Sequence, residues 1–184
     1  MKFAGWFGIA LFLVASSAAQ TAPKSRSMDQ MHGGCDNYAA NLTTEMRLMS
    51  MNAVQINAAS QAAEAPQVRT SQVFSINLLP QSQVHFALAP AQDRGGPGRW
   101  AGLVALGTLP KGNWRVSADK SVWIDLIGSG QLLPSPAFEM QTECPTIFKT
   151  VVFEAPGTVT VLLQISGATT QSVRLLITSA EPNK

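Results

Sequence analysis

The sequence predicts a mainly β chain: an antiparallel β-sandwich or jelly roll of about eight strands, preceded by one N-terminal helix. Three observations carry that expectation. From residue 71 onward, apolar and polar residues alternate with a period of two, the spacing of strands that bury one face. Turn signals rich in Gly and Pro separate the alternating runs. No helical periodicity falls between the runs, which argues for an antiparallel sheet rather than a parallel one.

The chain has 184 residues and is 46% hydrophobic, enough apolar material for a core and inconsistent with a disordered tail. Charged residues make up 13%, about half the usual share of roughly 25%. The net charge is +2 with no basic run, so the footprint of a nucleic-acid binder is missing.

Residues 1–19 have the layout of a secretory signal peptide. Lys2 precedes an apolar run over 3–14, and Ser17 and Ala19 are small residues at the −3 and −1 positions. That run falls short of the roughly 20 residues needed to span a bilayer, and no cysteine lies nearby to be lipidated. The expectation is a periplasmic or secreted protein with no transmembrane anchor after cleavage; the alternative is a buried N-terminal helix. An oxidising compartment lets the two cysteines, Cys35 and Cys144, form a disulfide, the alternative being two buried thiols. A metal site is disfavoured, because His32 and His85 are unclustered and lack paired ligand spacing. No cofactor is expected.

Residues 20–34 are polar and read as a flexible lead. Asp36 then offers a cap, and Tyr38, Leu42, Met46, Met49, Ala53 and Ile56 share one helical face. This predicts a helix over 36–52 fading toward 60, within an N-terminal helical segment 35–60. The methionines Met46, Met49 and Met51 read as core filler in preference to a metal or partner surface. Residues 61–70, with Pro66, read as a linker. Strands are expected at 73–78, 84–88, 100–106, 113–117, 122–127, 146–153, 159–166 and 173–178. Together they form a sandwich over 71–184 that packs with the helix as one domain.

A three-residue loop at 118–120 would make a hairpin in which Val116 faces Val122 and Trp114 faces Ile124. Trp114, Val116, Val122, Ile124 and Leu126 then share one face, while Arg115, Trp123 and Asp125 share the other. There Arg115 could lie over the Trp123 ring and reach Asp125, forming either a cross-strand structural set or a small binding platform.

The runs 112–117 and 122–125, Ala137-Phe138 ahead of Cys144-Pro145, and the runs 149–154 and 163–168 resemble a family of small exported bacterial proteins. In that family, too, an early cysteine opens a short helix. The β part resembles the pre-peptidase C-terminal domain, a jelly-roll module that accompanies secreted enzymes and has no catalytic residues of its own. The resemblance implies a non-catalytic binding or accessory module of the bacterial periplasm. Lys120 stands where the family often has a hairpin glycine.

Members of this family are sometimes labelled homogentisate 1,2-dioxygenase, and the residues argue against that activity. A non-haem iron needs two His and a carboxylate on a rigid scaffold. Here the choice is His32, in the lead, and His85, in a strand candidate. A small metal-dependent enzyme therefore stands only as the alternative. No Gly-x-Ser-x-Gly elbow occurs, Gly95 to Gly98 lacks the end of a phosphate loop, and Glu139 and Glu143 read as solvated loop carboxylates.

Binding is the function class that survives. Trp100, Trp114 and Trp123 suit stacking on sugar rings, although Trp100 and Trp114 read as core residues. The long loop 90–99 and its border, with Arg94, Arg99 and Trp100, is the expected binding loop. The partner is then an unknown ligand, a glycan or an envelope protein. A structural envelope protein that binds peptidoglycan or a partner protein is a further alternative.

Overall fold

The computed structural model describes residues 31–180; the signal peptide expected over 1–19, its cleavage, and the lead up to residue 30 lie outside the described residues. The alternating pattern resolves into β2 (Val73–Asn77), β4 (Trp100–Leu109), β5 (Gly112–Ala118), β6 (Trp123–Gly128), β9 (Lys149–Ala155), β10 (Val159–Ala168) and β11 (Ser172–Ser179). Four further strands are short: β1 (Val54–Asn57), β3 (Leu79–Pro80), β7 (Gln131–Leu132) and β8 (Ala137–Met140). They assemble as two sheets, ordered β1-β2-β11-β5-β9-β8 and β3-β4-β10-β6-β7. All pairings between these strands are antiparallel except β1 with β2. Among the described residues the fold is a β-sandwich with one α-helix.

The period of two puts every second side chain between the sheets. Val116, Val151 and Leu175 of the first sheet meet Val104, Leu126 and Leu163 of the second in the main core, all at 5% exposure or less. At roughly 25 cal/mol per Å² of apolar surface, this layer supplies most of the drive to fold. Trp100 and Trp114 pack partly buried against it, as their alternation predicts.

The hairpin expected at 118–120 does not form. β5 belongs to the first sheet and β6 to the second, so residues 119–122 cross from one sheet to the other. Asp119 still pairs with β11, its N–H donating to the Arg174 carbonyl at 3.2 Å while its carboxylate accepts the Arg174 N–H at 2.8 Å. The inward residues Val116, Val122, Ile124 and Leu126 are as expected, because alternation is indifferent to which partner completes the ladder.

The run 84–88 is not a strand. His85 N–H donates to the Ser60 carbonyl, and the segment lies over the outer face of the second sheet. His85 itself is exposed, not part of a strand. The expected linker 61–70 runs along β4, bonded through Pro66 and Val68 to Ala105.

The helix is shorter than expected: α1 spans Thr43–Met49, and Ile56 lies in β1. Its buried face is nonetheless the one read from spacing. Tyr38, Leu42 and Met49 form a second cluster with Val73, Ile147 and Leu176 on the outer face of the first sheet. Cys35 and Cys144, 109 positions apart, form a disulfide beside this cluster. Residues 31–34, expected at the end of the flexible lead, are bonded to the loop before β9, the Met31 and Gly33 carbonyls accepting the N–H groups of Thr142 and Glu143.

Candidate ligand-binding site

Between β3 and β4 the chain makes a long excursion, residues 81–99, which straps across the outer face of the second sheet. Its neck is closed by Pro80 pairing with Trp100 and by Gln81 N–H donating to the Arg99 carbonyl at 2.9 Å. Underneath, Val84 and Phe86 cover Ala101, Leu103 and Leu162. Two polar side chains on the sheet hold the strap down. Gln164 accepts the Ala87 N–H at 3.2 Å and donates to the Leu88 carbonyl at 3.0 Å; Asp125 accepts the Ala91 N–H at 3.2 Å. Gly167, at φ 66°, allows close approach, since a Cβ there would collide with Arg94.

Where the two limbs of the strap meet, a pocket of about 620 Å³ opens. Pro80, Gln81, Ser82 and Phe86 line it from one limb, and residues 96–100 from the other. Gly96 and Gly98 have φ of 136° and 70°, conformations that glycine adopts without strain, and they carry the chain around its rim. The lining combines two aromatic rings, two prolines and the Arg99 guanidinium, whose Nη1 also reaches the Gly167 carbonyl at 3.5 Å. The volume lies within the roughly 300 to 1,000 Å³ of small-molecule sites. A second concavity, of about 570 Å³, lies among the turns at the other end and has no aromatic side chain in its lining.

Arg99 and Trp100 of the expected binding loop therefore line the pocket, whereas Arg94 lies over the Trp123 ring, 5.3 Å from its centroid. The expected trio of Arg115, Trp123 and Asp125 is split, because β5 and β6 are in different sheets. Trp123 and Asp125 remain together, the indole N–H donating to Asp125 Oδ1 at 2.9 Å. Lys149 takes the place assigned to Arg115, its Nζ standing 4.7 Å from the Trp123 centroid and donating to the Val122 carbonyl at 3.3 Å. Burial, reinforced by the charge of Arg94 and opposed by that of Asp125, lowers the Lys149 pKa to about 8. Burial likewise raises the Asp125 carboxyl above its usual range, against the hydrogen bonds it accepts.

Arg115 sits on the opposite outer face, under α1. Its Nη1 donates to Glu45 Oε1 at 3.2 Å, and that oxygen also accepts the Thr178 hydroxyl at 2.8 Å. Both charged side chains are buried, and the set pins the helix to the sheet. Phe86, Pro80, Gln81, Lys149, Gln164 and Glu45 were not read from the sequence as site residues. Only the polar Gln164, interrupting the apolar run of β10, gave a local signal.

Among the described residues no three His, Cys, Asp or Glu side chains come together as a ligand set. His32 Nδ1 is 3.2 Å from the Thr142 hydroxyl. Glu139 is not a solvated loop carboxylate, since it accepts the N–H groups of Ala39 and Ala40 at 2.7 and 3.1 Å. No described helix is long and apolar enough to cross a membrane, and a disulfide of this kind belongs to oxidising compartments. Fold and site define a disulfide-tied β-sandwich with an aromatic pocket at the neck of a surface strap. Comparison with family models, curated proteins and solved structures returned no match.

Proposed function

We propose that this chain is an exported, non-catalytic binding or accessory module of the bacterial periplasm, and that its ligand occupies the pocket between Phe86 and Trp100. The pocket is the observation that carries the reading: it is aromatic, open, and built on a strap clamped to a rigid sheet. The signal-peptide layout, the disulfide and the resemblance to pre-peptidase C-terminal modules support export and an accessory role. The metal-dependent enzyme is the weaker reading, because it asks for a cluster of ligands that the described residues do not bring together.

The test is a thermal-shift screen of the exported protein against sugars, cell-wall fragments, small carboxylic acids and metals. A ligand specific to the native state raises Tm by mass action. A shift that Phe86→Ala removes supports the pocket. A metal-only shift lost in His85→Ala would favour the enzyme, and binding only to intact cell-wall material would favour a structural envelope protein.

A further inference from the structure

Resting on the binding reading above, we infer that the pocket takes a carboxylated sugar, a pyranose ring bearing one acid group. Three features of the lining select this class. Trp100 and Phe86 offer apolar ring surface, which suits the C–H face of a pyranose, and Pro80 and Pro97 extend it without adding donors. Among the described residues Arg99 is the one charged residue in the lining, so the site favours an anion over a neutral or cationic ligand. Its guanidinium makes a long bond to the Gly167 carbonyl at 3.5 Å, which leaves most of the fork for a carboxylate. The Gln81 side chain already accepts the Gly167 N–H at 2.7 Å, which fixes the wall next to Arg99.

Size agrees with the chemistry. About 620 Å³ accommodates one or two sugar rings. Trp123 is not a competing platform, because Arg94 and Lys149 already lie over its ring.

A carboxylated pyranose comes from two sources, uronic acid polymers or the muramic acid of peptidoglycan, and the experiment separates them. Chemical-shift titration of the exported protein is carried out with glucuronic acid, galacturonic acid and N-acetylmuramic acid, beside glucose, galactose and N-acetylglucosamine as uncharged counterparts. At least one acid is expected to shift the Trp100 indole resonance and to bind about tenfold tighter than its counterpart. Arg99→Gln is expected to remove that preference, while Arg99→Lys restores part of it. Response to the uronic acids alone or to N-acetylmuramic acid alone identifies the source. Equal binding of acids and uncharged sugars, unchanged by Arg99→Gln, overturns the carboxylate inference and leaves the binding module standing. No response at the Trp100 and Phe86 resonances to any of the six overturns the sugar inference, while a thermal shift with another ligand class that is lost in Phe86→Ala would keep the pocket. An unchanged amide spectrum checks that the substitutions at Arg99 keep the fold.

Discussion

Lys149 carries its ammonium where water barely reaches, and this sets a pH dependence. Its folded pKa of about 8 lies below the unfolded value of 10.5, so between those limits the unfolded chain binds the extra proton and stability rises with pH. The span corresponds to about 3 kcal/mol. Tyr38 acts oppositely: burial raises its pKa above 10, so the unfolded phenol ionises first and stability falls at still higher pH. Urea midpoints at pH 7 and 9.5 should rise in the wild type, and Lys149→Met should flatten that rise. An equal rise in both proteins would show that the ammonium is not desolvated. The Glu45 and Arg115 pair makes a second prediction. Glu45→Ala leaves a buried guanidinium without its carboxylate and should lower stability by about 3 to 5 kcal/mol, whereas Glu45→Leu combined with Arg115→Met should recover most of the loss in denaturant titrations. Neither constellation was legible in the sequence, because both partners of each contact lie on strands or helices distant in the chain. What alternation did show is which way Arg115, Trp123 and Asp125 point; it does not show in which sheet each strand is laid.

The elements were legible in proportion to their length. β4, β10 and β11 have ten, ten and eight residues, enough for alternation to stand out, while β3 and β7 have two each and leave no periodic trace. The segment 84–88 has the right alternation, but its bonds go to the Gln164 side chain and to Ser60, a choice made by the sheet beneath it. Helix α1, with seven residues, is too short to persist alone and depends on its docking and on the disulfide. Replacing Cys35 and Cys144 by serine should lower stability by about 5 kcal/mol in the chain-entropy picture. Hydrogen exchange should then reveal loosening at residues 43–49 before the sheets; uniform loosening would mean that the tie serves the whole sandwich. For the strap, Gln164→Leu leaves the Ala87 N–H and Leu88 carbonyl without their partner. Faster exchange over 85–91 and a loss of about 1 to 3 kcal/mol are expected.

Across the whole molecule, each outer face of the sandwich carries a cover, the helix and its disulfide on one side and the strap on the other. Composition made a single apolar core legible, and strand order did not, since a period of two is the same for every permutation of partners. The order places β11 in the interior of the first sheet, between β2 and β5. A chain ending before Ser172 should therefore fail to fold, giving no dispersed amide spectrum. A truncated chain with native-like dispersion would show that the second sheet and its cover suffice.

That interior position has a consequence in time. Residues 172–179 follow every other described strand in the order of synthesis, yet β2 and β5 meet only through them. Until they emerge, the first sheet lies in two unjoined pieces, while every strand of the second sheet has already been made. On the export proposed above, this late closure of the first sheet precedes or accompanies the sealing of Cys35 to Cys144, a bond that an oxidising compartment permits.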